Sequence, residues 1–204
     1  MNSDASPDRR IIRTKLAIRE ALVELIAEKG FDSLSVRDIT TRADINRGTF
    51  YLHYQDKFDL LEQIEIEIVQ SIEKIVLQAN SLNLADFNSI DKPLPVGVSM
   101  FEYFKENAAL MHAILGMGGD FAFMARIRQT IEKNLKLGFL AGMKAEKFLV
   151  PSEYLISYIL SAHFGVIQTW LQKGCIESPK EMAITLSRLS WDGPIRMTGF
   201  VLPG

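Results

Sequence analysis

The sequence predicts an all-α fold of about nine helices, on three observations. Apolar residues recur at three- and four-residue spacing through most of the 204 residues. No alternating apolar–polar segment is long enough to argue for a sheet. Helix starts and stops such as Lys29-Gly30, Ser178-Pro179 and Gly193-Pro194 divide the periodic stretches.

Taken in order, Ser6-Pro7 is a helix start with proline at the first helical position. Ile11, Ile18, Leu22, Leu25 and Ile26 then form one stripe, and Gly30 ends the helix after Lys29. Ser35 and Asp38 make an S-x-x-D capping signal for a short second helix with Ile39 and Ala43 on its apolar face. Asp44 tolerates turn geometry and Ile45 points back to the core. Asn46 is a cap for a third helix carrying Arg47, Gly48, Thr49, Phe50 and Tyr51. Asp56 caps a long helix, with Phe58, Leu61, Ile64, Ile68, Ile72, Ile75 and Val76 on its apolar face, that ends near Asn80. Residues 80–95 are turn-rich and contain two prolines. Helices follow over about Val96–Asn107 and Ala108–Leu115. After a break at Gly116, Gly118 and Gly119 the next runs from Asp120 to about Met143. Pro151-Ser152 opens a helix to Lys173, closed by Gly174. The last runs from Pro179 to Ser190, with Glu181 three residues past the Ser178 cap, and Gly193-Pro194 forbids its continuation.

Two short helices joined by a tight turn form a helix-turn-helix, whose second helix lies in the major groove of DNA. Residue types between Ser35 and Lys57 suit that task. Gly48 has no side chain, so the helix start can approach a duplex. Arg47 can pair bidentately with guanine, and Thr49 can meet a base edge or a thymine methyl. Tyr51, His53 and Lys57 suit phosphate oxygens, and Ser35 and Arg37 complete the candidate DNA-binding set.

The run Ile45-Asn46-Arg47-Gly48-Thr49-Phe50-Tyr51-Leu52-His53-Tyr54-Gln55-Asp56-Lys57-Phe58-Asp59-Leu60-Leu61 resembles the DNA-binding signature of TetR-type transcriptional regulators. The resemblance covers roughly residues 10 to 62 by motif, and the remainder by length and helix order. Asp44 stands where the family often has Gly, and Tyr54 where it often has Phe; each can fill the same role. The resemblance implies a three-helix DNA-binding domain, 1–57, joined to a helical effector-binding and dimerisation domain, 58–204. It also implies that the basic start of the first helix touches phosphates, and that the last two helices pair with a second copy as a four-helix bundle.

Composition bounds the alternatives. The chain is 48% hydrophobic with a net charge of -2, so it has a substantial core and no polycation character. Residues 1–57 carry ten Lys or Arg and nine Asp or Glu, but Arg9, Arg10, Arg13, Lys15 and Arg19 follow one another with no acid between Asp8 and Glu20. One cysteine, Cys175, permits no intrachain disulfide and reads as a passive turn residue. A free thiol and an N-terminus without an apolar signal core suit a cytoplasmic protein. The most apolar long window, Tyr154 to Leu171, is interrupted by Ser157, Ser161, His163 and Gln168, so it reads as a core helix with no role in a membrane.

Residues 96–170 hold seven of the twelve Phe and five of the eight Met. They read either as core or as the wall of an adaptable pocket for an apolar small molecule; the candidate lining is Phe101, Phe104, Met111, His112, Phe121, Met124, Phe139 and Met143. Ile159, His163, Ile167, Trp170 and Leu171, with Met182 and Leu186, are the candidate dimer interface, because a helix apolar around much of its circumference needs a large core or a partner. His53, His112, His163 and Cys175 have no metal-ligand spacing, and no phosphate-binding or nucleophile motif occurs. No cofactor and no enzymatic activity are expected. The reading is a dimeric repressor that binds double-stranded operator DNA and is released by an effector. The alternatives are a regulator governed by a protein partner, and a helical enzyme or adaptor with a borrowed helix-turn-helix. The missing catalytic constellation and the run from Arg47 to Lys57 weigh against the last.

Overall fold

A computed structural model describes residues 9–79, 92–115, 121–137 and 149–199. Among these residues there are ten helices and no strand: α1 Arg9–Lys29, α2 Val36–Arg42, α3 Arg47–Tyr51, α4 Lys57–Ala79, α5 Pro95–Glu106, α6 Ala108–Leu115, α7 Phe121–Leu137, α8 Ser152–Gln172, α9 Pro179–Trp191 and α10 Gly193–Met197. The chain divides into two compact units, Met1–Ile68 and Val69–Gly204. The division falls inside α4, later than the expected one after Lys57, because the first turns of α4 belong to the first core.

That core is built from one face of each of four helices. Ile18, Ala21, Leu22 and Leu25 of α1 are buried with Ile39 of α2, Phe50 of α3, and Leu60, Ile64 and Ile68 of α4. Each fully buried Ile, Leu or Phe contributes about 1.5–3 kcal/mol relative to exposure. Ile11 and Phe58, expected on the apolar stripes, lie exposed at the ends of their helices. Gly30 ends α1 with a positive φ of 75° while its N–H donates to the Ile26 carbonyl at 2.9 Å.

The second unit packs α5 against α8 and α9, and α6 and α7 against α8. Phe101 of α5 meets Trp170 of α8 edge-on, with ring centroids 5.2 Å apart. Arg128 of α7 donates to the Ser157 hydroxyl of α8 at 2.9 Å, and His163 of α8 lies 3.0 Å from the Ser190 hydroxyl of α9. A capping box starts α9: Ser178 accepts from the Glu181 N–H, and the Glu181 carboxylate accepts from the Ser178 N–H at 2.8 Å. Beyond α9 the chain breaks at Gly193-Pro194, as expected, and a short further helix follows. Gly193 takes a φ of 78° to break direction, and Pro194 then sits in the first turn of α10, where its fixed φ and missing N–H suit a helix start. No helix among the described residues is long and apolar enough to cross a membrane.

Candidate nucleic-acid interface

The site begins with two caps and a turn. Ser35 accepts a hydrogen bond from the Asp38 N–H at 3.2 Å, and Asp38 accepts in return from the Ser35 N–H at 2.8 Å and hydroxyl at 2.7 Å. Those bonds from Ser35, reinforced by Lys29, hold the Asp38 carboxyl at a pKa of about 2. Asp44 then enters the left-handed region at φ 51°, and the Ile45 N–H donates back to the Thr40 carbonyl at 3.0 Å. The residue expected to replace glycine in the turn therefore does so, at the strain an L-residue meets there. Asn46 is the backbone cap of α3, its carbonyl accepting from Thr49 N–H at 3.0 Å, but its side chain makes no capping bond.

Phe50 and Tyr54 anchor α3 from below, with ring centroids 5.6 Å apart and both rings buried. With that face fixed, Arg47 and Gly48 are exposed, Thr49 is half-buried and Tyr51 retains 49% of its exposure. Apart from its chain neighbours and its own helix backbone, no atom of the described residues lies within 4 Å of the position a Gly48 side chain would take, so the start of α3 stands open to solvent. A guanidinium nitrogen of Arg47 donates to the Tyr51 hydroxyl at 3.1 Å, and its central carbon lies 5.9 Å from that ring's centroid.

Other basic groups serve the scaffold. Arg42 bridges α2 to α1 by bonds to Glu24 at 2.8 Å and to both Glu28 oxygens at 2.8 and 2.7 Å. The bond from Arg42 lowers the Glu28 pKa, and the two carboxylates raise that of Arg42. Lys29 pairs with Asp38, and Arg19 with Glu67. Sequence reasoning missed the Arg42 bridge, whose partners Glu24 and Glu28 stand one helical turn apart on α1.

Two residues of the candidate DNA-binding set also make bonds within the fold. Lys57 donates to the carbonyls of Phe31 at 3.0 Å and Asp32 at 2.9 Å, and its ammonium lies 4.9 and 5.1 Å from the centroids of Phe31 and Phe58. It clamps the α1–α2 loop to the start of α4. The Ser35 hydroxyl is likewise held in its capping box. Arg37 is exposed, and the half-buried His53 ring is 6.3 Å from that of Tyr54. Asp56 caps α4 as expected, accepting from Phe58 and Asp59 N–H groups at 2.8 and 2.9 Å. Asp59 reciprocates by accepting from Gln55 N–H at 2.7 Å.

In the second unit, Phe101, Phe104 and Met111 are buried in its core, whereas Met124 is half-buried on α7. His112 is exposed: α6 turns Leu110, Met111 and Ile114 inward, which puts the adjacent residue on the outer side. Phe121 begins α7, and Phe139 and Met143 lie outside the described residues. Of the expected interface, Ile159, His163, Ile167 and Leu186 are half-buried. Trp170, at 2% exposure, and the buried Leu171 and Met182 belong to the unit's own core; the Trp170 indole N–H donates to the Glu177 carbonyl at 3.2 Å. Among the described residues no group of three or more His, Cys, Asp or Glu is placed to hold a metal ion.

A family profile described as bacterial regulatory proteins, tetR family, matches residues 18–64, and one described as transcriptional regulator C-terminal region matches residues 91–191. The chain is 33% identical over 94 residues to YxbF, an uncharacterized HTH-type transcriptional regulator of Bacillus subtilis (strain 168); that match takes in 45% of this chain and 24% of YxbF. It is 21% identical over 166 residues to the HTH-type transcriptional regulator AcrR of Shigella flexneri, covering 81% of this chain and 77% of AcrR. The chain spans about a quarter of the length of the first curated relatives it matches. Among solved structures, the fatty acid degradation regulator FadR from Bacillus halodurans shares the fold with a TM-score of 0.66 and 21% identity, over 89% of this chain and 96% of that one. A TetR-family regulator from Syntrophomonas wolfei does so with a TM-score of 0.64 and 19% identity, over 95% and 99%.

Proposed function

The chain belongs to the TetR family of transcriptional regulators, and from that premise we propose that it binds operator DNA through α3 as a homodimer and releases it when an apolar small molecule occupies the second unit. The observation that supports DNA reading is α3 itself: its buried side is locked by Phe50, while Arg47, Gly48 and Tyr51 are turned to solvent at the helix start. A helix held this way presents side chains to base edges without losing its own register. Arg47 and Thr49 specify bases.

The test is enrichment of a double-stranded random-sequence library on the full-length protein, followed by binding measurements with the selected duplex. Arg47→Ala is expected to lose about 1–3 kcal/mol and to relax preference at one base pair. If that variant binds selected and random duplexes in the wild-type ratio, Arg47 is not a reader.

Release by an effector rests on the Phe- and Met-rich interior around Phe101, Phe104, Met111 and Met124. An effector shifts the equilibrium only by its differential affinity for the two states. A coupling of about 1–3 kcal/mol is ordinary, and reciprocity requires operator DNA to weaken effector binding by the same factor. Calorimetric titration of a candidate effector with and without operator measures both; equal affinities would show that the molecule is no inducer.

A further inference from the structure

We infer that Tyr51 is a specificity-determining positioning residue, acting through Arg47 by holding its guanidinium in the orientation that reads a base. This rests on the reading of α3 as the DNA-contacting helix.

Arg47 and Tyr51 stand four residues apart on α3, so they share one face of the helix. The Tyr51 hydroxyl accepts from a terminal Arg47 nitrogen at 3.1 Å, and the same guanidinium lies over the ring, 5.9 Å from its centroid. The tyrosine ring is itself fixed, packed edge-on against the buried Phe50 ring with centroids 5.6 Å apart and an interplanar angle of 89°. A rigid core residue therefore orients a phenol, and the phenol orients an arginine.

The chemistry of the partner separates Arg47 from three other basic groups of this unit. Arg42, Lys29 and Arg19 are each joined to a carboxylate. A carboxylate holds an arginine but cancels its charge and occupies the same fork of N–H groups that guanine needs. A phenol holds it through one N–H and the negative face of the ring, and leaves the positive charge uncancelled. Four of the five guanidinium N–H donors remain for a ligand. Arginine carries large rotamer entropy, and restricting it before binding lowers the cost of the bidentate contact. A lost hydroxyl should then weaken discrimination, which a general loss of fold or charge does not.

The experiment is a double-mutant cycle on the full-length protein, using the selected duplex, variants of it at each base pair, and a random duplex. Tyr51→Phe keeps the ring and its packing on Phe50 and removes only the hydroxyl; thermal unfolding checks that it stays folded. The expected result is a loss of about 2- to 10-fold on the selected duplex, the worth of one hydrogen bond, with random-duplex affinity unchanged. The relaxed preference should fall at the same base pair that Arg47→Ala relaxes. In the Arg47→Ala background, Tyr51→Phe should change nothing further. Three results overturn the proposal: no effect of Tyr51→Phe, an equal loss on every duplex, or a loss that persists undiminished without Arg47. The last two would show the phenol contacting DNA on its own account while DNA reading by α3 stands. Failure of the wild-type protein to enrich any sequence would sink both readings together.

Discussion

Lys57 shows how the position of a charge and its task can part. Its place at the start of α4 suits a phosphate contact, but two carbonyls and two aromatic rings surround its ammonium. Two charge-assisted bonds to a loop are worth more to the fold than one screened contact to a backbone phosphate. Lys57→Met, which keeps the aliphatic stem, is expected to destabilise the protein by about 1–3 kcal/mol in urea unfolding. The slope of log affinity against log salt should be unchanged; a slope smaller by about 1 would reveal a phosphate contact after all. Asp38 carries the acid sensitivity of the same region. Its folded pKa, about 2, lies below the ordinary 3.8, so its stabilisation is complete above pH 4 and is lost as the pH falls toward 2. Asp38→Asn should flatten the dependence of unfolding midpoint on pH across that interval. An unchanged slope would mean that other carboxylates account for it.

At the scale of elements, the turn from α2 to α3 sets the register of the reading helix. Asp44 adopts φ 51° there, a region open to Asp and Asn and easy for Gly. Asp44→Gly is expected to change stability by less than about 1 kcal/mol, since relief of strain and added unfolded-state entropy oppose each other. Asp44→Val, β-branched, should cost more than about 1 kcal/mol and weaken DNA binding with it. Equal stability of the two variants in denaturant melts would show that the turn is not strained. Such local features were legible in the sequence because caps and turns are written within three or four residues: Ser35 with Asp38, Ser178 with Glu181, and Asp44 between two short helices. Lys57 and Arg42 were not, because their partners lie 26 and 14 or 18 residues away, and spacing says nothing about which distant group a long side chain will find. Trp170 was half-legible for a related reason. An apolar circumference records burial but not whose atoms do the burying.

At the scale of the molecule, the surface left by that core moves the proposed dimer face. Tyr154 and Tyr158 of α8 are exposed, and Ser161, Ala162 and Gly165 continue the same side of the helix; Trp191 and Ile195 are exposed at the end of α9 and in α10. Apart from its chain neighbours and its own helix backbone, no atom of the described residues stands within 4 Å of the place a Gly165 side chain would take, so a partner helix has room to approach. The expected state is a two-fold dimer at micromolar concentration, with α3 helices about 34–36 Å apart or a multiple of that. Gly165→Trp should shift the sedimentation mass toward monomer and leave the unfolding midpoint of the isolated chain little changed, while Trp170→Ala should unfold it. A wild-type monomer that still binds the selected duplex tightly would refute the interface.

The ties of the first unit have a consequence in time. The bonds and buried groups described for it run from α1 to Glu67 and Ile68. A chain is synthesised from its N-terminus at about 5–20 residues per second, and domains fold as units while synthesis continues. The 136 residues from Val69 to Gly204 alone take roughly 7–27 s to synthesise once the reading head is complete. Helical units with neighbouring contacts fold in microseconds to milliseconds. The N-terminal unit is expected to finish folding on the ribosome, long before a second copy can pair with its own chain.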